Sequence, residues 1–136
     1  MPVLMNAYLG FADQAREAME FYHGVFGGTL SMTTFGEFGQ AGTDAEHLIM
    51  HAKLETPEGM VLMASDAPPG MPHDEGSAIS MSLSGDDEEL LRRYWDALAD
   101  GGTVTLPLER QMWGDVFGMC TDRFGTAWMV NIAAPA

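Results

Sequence analysis

One arrangement of residues occurs twice in this chain. Phe21-Tyr22 lies near the end of an amphipathic run that stops at Gly27-Gly28, and Thr29-Leu30 then opens an extended stretch. Tyr94-Trp95, Gly101-Gly102 and Thr103-Val104 repeat that order at nearly the same interval. A duplication of this kind constrains the fold more than any local propensity, because both halves must be structural units of one type. The 136 residues amount to one domain's worth of chain, large enough to bury a proper core.

In the first half, residues 4–11 read as a short apolar strand with Tyr8 in its middle. Asp13 is placed to cap the following helix by accepting from free backbone N–H groups. Ala15, Ala18, Met19, Tyr22, Val25 and Phe26 then recur at helical spacing. Gly27-Gly28 ends the helix, since glycine accepts the left-handed geometry of a C-terminal cap. Residues 29–34 form a second strand. The run 35–46, with Gly36, Gly39 and Gly42, reads as a mobile loop. A strand over 47–55, a turn over 56–59 and a hairpin partner over 60–65 complete the half. Residues 67–76 are rich in proline and glycine and form the linker.

The second half repeats the order. Residues 77–83 read as a strand, and 84–87 as a helix start with acidic groups at the positive end of the dipole. Leu90, Leu91, Tyr94, Trp95 and Leu98 continue the apolar face to Gly101-Gly102. Strands over 103–106, 111–121 and 125–132 follow, the last two joined at Asp122-Arg123-Phe124-Gly125. Each half is strand, helix, then three strands. The expected domain is therefore a pair of βαβββ repeats, about 1–66 and 77–136, joined by 67–76.

Charge and composition exclude several roles. Twenty acidic against six basic side chains give a formal net charge of -14, which repels phosphate backbones and anionic membranes. Neither nucleic acid nor membrane is an expected partner. No apolar run is long enough to cross a bilayer, and the first residues do not read as a signal peptide. The single cysteine, Cys120, fits a reducing cytoplasm and reads as a small buried hydrophobe.

The ordered set of Ala18-Met19-Glu20-Phe21-Tyr22, Val25-Phe26-Gly27-Gly28 and Met63-Ala64-Ser65-Asp66 continues with Trp113-Gly114-Asp115-Val116-Phe117-Gly118, Asp122-Arg123-Phe124-Gly125 and Trp128. This set resembles the PhnB-like branch of the vicinal oxygen chelate superfamily, which includes glyoxalase I, bleomycin-resistance proteins and extradiol dioxygenases. The likeness covers essentially the whole chain. It implies an α+β fold of tandem βαβββ modules with mostly antiparallel curved sheets, the glyoxalase/bleomycin-resistance/dihydroxybiphenyl dioxygenase fold. It also implies a homodimer and a small-molecule pocket between modules. In metal-dependent relatives the ligands come from the first and last strands of the modules. Projected here, those positions fall near Asn6 or Ala7, Ile79 or Ser80, Met63 and Met129, none a strong ligand for such a cation. No cofactor is expected; a divalent metal is the alternative. No glycine-rich loop of the kind that follows a Rossmann-type first strand is present, so no methyl-donor site is expected.

His47 and His51 share a face if both lie on one strand, but four residues of strand separate them by roughly 13 Å, too far to chelate one ion together. A polar strand face or a hydrogen-bonded histidine is the plainer reading. Asp66, beside Pro68-Pro69, is either a general base or a turn cap. Trp128 lies in an apolar strand and reads as core, whereas Trp113 precedes Gly114 in a less buried setting, at a pocket mouth. Tyr8, Phe38, His47, His51, Asp66 and Trp113 are thus the pocket candidates. The function expected is metal-independent binding of a small molecule. The alternative is a metal-dependent lyase or dioxygenase-type enzyme with displaced ligands, drawing on His47, His51, Asp66 or a partner subunit.

Overall fold

The computed structural model describes residues 5–39, 42–67 and 79–134. The chain divides into two compact units, Met1–Glu75 and Gly76–Ala136. Each contains a four-stranded mixed sheet with one helix on one face, and the order of elements in both is βαβββ.

The first unit runs β1 (Ala7–Phe11), α1 (Ala15–Phe26), β2 (Thr29–Thr34), β3 (Ile49–Glu55) and β4 (Val61–Asp66). Its sheet order is β1-β4-β3-β2, with β1 parallel to β4 and the other pairs antiparallel. Ala15, Ala18, Met19, Tyr22 and Phe26 form the buried stripe of α1 and pack against Ile49, Ala52, Leu54, Leu62 and Ala64. Tyr22 is fully buried, and truncating an aromatic of this kind costs about 3–5 kcal/mol.

The second unit runs β5 (Met81–Gly85), α2 (Glu88–Ala99), β6 (Thr103–Arg110), β7 (Val116–Thr121) and β8 (Ala127–Ile132). The order is β5-β8-β7-β6, again with the first and last strands parallel. Leu91, Tyr94, Trp95 and Leu98 of α2 meet a core of Leu83, Val116, Cys120, Trp128, Val130 and Ile132. Asp87 caps α2, accepting from the Leu90 N–H at 3.1 Å.

The glycine pairs have a sharper explanation than helix termination. A Cβ on Gly28 would overlap the Glu55 carbonyl oxygen, and one on Gly102 would overlap that of Thr121. Glu55 ends β3 and Thr121 ends β7. In both units the second glycine lets the chain leaving the helix pass against the end of the third strand.

Several boundaries differ from expectation. The first strand begins at Ala7 rather than residue 4, and β5 covers 81–85 rather than 77–83 because its register with β8 pairs Met81 with Trp128. The cap of α1 is Gln14, without a side-chain bond; Asp13 does not supply one. The acceptor comes from Asp66 instead, as described below. The glycine-rich run 35–46 begins with a 3-10 turn, Phe35–Phe38, closed by a capping box between Thr34 and Glu37. β6 extends to Arg110, and residues 111–115 form a turn with Gly114 at φ 101°. The expected linker lies, from residue 68 on, outside the described residues.

Candidate functional site

In each unit the sheet has one face covered by its helix and one open face. Strand alternation assigns residues to them. On β3, Ala52 and Leu54 are buried beneath α1, so His51, Lys53 and Glu55 stand on the open face. Register extends that face across the sheet. Tyr8 pairs with Met63, Met63 with Lys53, and Lys53 with Ser31, while His51 pairs with Thr33.

Tyr8 and His51 meet on this face. The Tyr8 hydroxyl lies 3.1 Å from His51 Nδ1, with ring centroids 5.8 Å apart. With the phenol donating to Nδ1, the imidazole keeps its proton on Nε2 and has an N–H left for a further acceptor. Lys53 Nζ lies 2.9 Å from Glu55 Oε1.

The corresponding face of the second unit mixes apolar residues with Ser82, Asn131 and Glu109. Ser82 pairs with Met129, Met129 with Met119, and Met119 with Leu106; Phe117 pairs with Asn131 and Glu109. Matching the two registers sets Ser82 against Tyr8, Met129 against Met63, Met119 against Lys53, and Phe117 against His51. Trp113, 63% exposed, projects from the 111–115 turn and meets Phe117 edge-on at 6.1 Å.

The remaining candidates lie elsewhere. Asp66 is on the helix side of its sheet, 2% exposed, with Oδ1 accepting from Ala15 N–H at 2.9 Å and Oδ2 from Ile49 N–H at 2.8 Å. One carboxylate thus holds the start of α1 and the start of β3. His47 is exposed in the turn before β3, not on the strand, so it shares no strand face with His51. Phe38 ends the 3-10 turn; its side chain lies outside the described residues.

Trp128 is buried and donates from Nε1 to Asp122 Oδ2 at 2.8 Å. Cys120 is 2% exposed, and burial, helped by the charge of Asp122, pushes its thiol up to about 11. It is not poised as a nucleophile. Asp115 closes the end of the second sheet, accepting from Asn131 Nδ2 at 3.0 Å and Ala134 N–H at 2.9 Å. Those two bonds, with a smaller contribution from Arg110, hold its carboxyl below the ordinary range. A cavity of about 340 Å³ opens nearby, on the helix side, lined by Asp86, Glu88, Arg110, Val116, Ile132 and Ala134. Its one cation already donates to the Gly114 carbonyl at 2.7 Å.

The register sets the projected last-strand positions Met63 and Met129 on the open faces, opposite Tyr8 and Ser82. Ala7 pairs with Leu62 on the covered side, and Asn6, Ile79 and Ser80 precede the paired strands. A phenol, two thioethers and a hydroxyl do not fit the His, Gln or Glu set that would hold a divalent cation. Among the described residues, no group of three or more His, Cys, Asp or Glu is placed to hold a metal ion. Phe117, Met119 and Lys53 were not singled out from the sequence, although period-two alternation on their strands carried the signal.

Two βαβββ modules, each with a covered and an open sheet face, define a protein of the vicinal oxygen chelate class. The chain belongs to the family described as 3-demethylubiquinone-9 3-methyltransferase, whose model matches residues 4–131. It is similar to Protein YjdN from Escherichia coli, at 28% identity over 94% of both chains. Among solved structures it is similar to protein PA1353 from Pseudomonas aeruginosa, with 41% identity, TM-score 0.88 and coverage of 98% of this chain and 100% of that one. The PhnB protein from Bacillus cereus has 25% identity and TM-score 0.78, over 96% and 100% of the two chains.

Proposed function

We propose that this protein binds a small molecule on the open faces of its βαβββ modules, without the metal site of metal-dependent relatives. The observation that carries this reading is the residue content of the two faces. Where metal ligands would stand are Tyr8, Met63, Ser82 and Met129, yet the faces keep ligand-binding character. One offers Tyr8, His51 and Lys53, and the other Phe117, Met119 and Met129 with Trp113 beside them. Aromatic and thioether groups with a few convergent polar atoms are what a small-molecule site requires. Tyr8, His51 and Trp113 are the pocket residues in this reading, while Asp66 and His47 support or flank it.

The family description names a methyltransferase. The connection from β1 to α1 is Ala12-Asp13-Gln14, with no glycine to approach a nucleotide-like donor, so the binding reading is preferred. The lyase or dioxygenase alternative finds no donor set among the described residues, where Asp66 is engaged by two backbone N–H groups and His47 is off the strand. Elemental analysis of purified protein tests the reading. Substoichiometric zinc, nickel and iron is the expected result, and one tightly held ion per chain sinks it.

We propose in addition that the two repeats act as one domain and that the protein is a cytoplasmic homodimer. Edge strands β1, β2, β5 and β6 leave backbone groups unpaired within each sheet, which favours pairing with another copy. No helix of the described residues is long and apolar enough to cross a membrane. Sedimentation at micromolar concentration gives a dimer if this is right and a monomer if it is not.

A further inference from the structure

We propose that the open face of the first module recognises an oxyanion on the ligand, a carboxylate or a group of like charge and geometry, with Lys53 as its charged anchor. The inference rests on the small-molecule reading above and specifies the ligand's polar end.

Lys53 is the only lysine in a chain with twenty acidic side chains. The five arginines lie elsewhere: Arg16 on α1, Arg92 and Arg93 on α2, Arg110 at the end of β6, and Arg123 in the turn between β7 and β8. Arg92 is paired with Glu88, and Arg123 with Asp100. Among the described residues, Lys53 is the basic side chain on a sheet's open face. It is also on an interior strand, with neutral Met63 and Ser31 directly opposite on its two sides. Its aliphatic stem can lie along that sheet surface while the ammonium remains accessible.

The partner it has is replaceable. Glu55 and Lys53 are 57% and 42% exposed, and an ion pair so open to solvent is screened and weakly held. A ligand carboxylate offers Lys53 the same charge-assisted bond, and it gains a second donor as well. His51 is two residues away on the same face, about 7 Å along the strand. Tyr8 meets Nδ1 and not Nε2, so with the phenol as donor His51 carries its N–H at Nε2, clear of Tyr8. A flexible ammonium and an imidazole held by a phenol are complementary partners for one oxyanion.

The second module has no such anchor. At the positions matching Lys53 and His51 it has Met119 and Phe117, with Met129 and Leu106 opposite Met119 and with Asn131 and Glu109 opposite Phe117. The same strand positions are polar and cationic in one module, apolar and polarisable in the other.

The test is an NMR titration of the full-length protein with benzoate and with benzamide, its neutral near-isostere, at constant ionic strength. A single lysine gives a single side-chain Cε–Hε signal, so Lys53 is read without ambiguity. Benzoate is expected to move that signal and His51 Hε1 at roughly tenfold lower concentration than benzamide. K53M should abolish the difference, K53R should preserve it, and E55Q should strengthen benzoate binding by removing the competing carboxylate. Equal responses to the two probes, or a benzoate preference that survives in K53M, overturn the oxyanion assignment. The methyl signals of Met119 and Met129 separate this from the underlying reading. If they respond while Lys53 does not, the anionic end alone is wrong; if all are silent to both probes, small-molecule binding here fails with it.

Discussion

The Tyr8 hydroxyl lies 3.1 Å from His51 Nδ1, joining two strands that are not neighbours, since β4 runs between β1 and β3. The phenol therefore reaches across the open face and fixes an imidazole there. Y8F should cost less than about 1 kcal/mol of stability, because this is a single, partly exposed hydrogen bond. Its effect on the ring should be larger: nitrogen chemical shifts of His51 should show the Nε2–H tautomer in the parent protein and a mixture in Y8F. An unchanged tautomer in Y8F would mean that the contact does not orient the histidine.

Asp66 ties α1 to β3 through two buried backbone N–H groups. D66A leaves both donors without an acceptor and should destabilise the protein by about 2–5 kcal/mol, while D66N, which keeps one oxygen, should lose roughly half as much. Chemical denaturation measures both. Because Asp66 is on the covered side of the sheet, ligand affinity of folded D66N should match that of the parent.

Gly28 and Gly102 should be the least replaceable glycines of their pairs. G28A meets the Glu55 carbonyl and has φ 92°, so a cost of about 3 kcal/mol or more is expected; G102A meets the Thr121 carbonyl and should cost about 2–3 kcal/mol. At Gly27, φ is 73° but no atom lies within 4 Å of an added Cβ, so G27A should cost only about 1–2 kcal/mol. Equal losses at 27 and 28 would remove the close-approach explanation.

Asp115 makes stability depend on acid. Its carboxyl is held below the ordinary value of about 3.9, chiefly by the Asn131 amide and the Ala134 N–H. A lowered folded value means the contribution is fully present above the unfolded value and is lost as pH falls through the folded one. The gap in melting temperature between the parent and D115N should therefore be constant near neutrality and close below about pH 4. A gap that widens on acidification would contradict the assignment.

The repeat, and with it the fold, was legible because the glycine pairs and the aromatic pairs before them meet the same steric demands in both halves. Trp128 and Cys120 were legible as core from the apolar strands that carry them. The helix cap was not. Asp13 is next to the helix in sequence, but the bond to Ala15 comes from Asp66 across the fold, and local pattern has no access to such a partner. His47 was misplaced because the strand begins two residues later, and one boundary shift removes a residue from a face. The open face was legible only in part: alternation marks Lys53, Phe117 and Met119 as one-sided, but which residues stand opposite them comes from the register.

The most direct test of the central claim is a ligand titration followed on the His51, Lys53, Met119 and Met129 signals, before and after exhaustive chelation of the protein. Metal-independent binding on the open faces predicts the same shifts at the same concentrations in both samples. Binding that disappears on chelation and returns with a single divalent metal would contradict it.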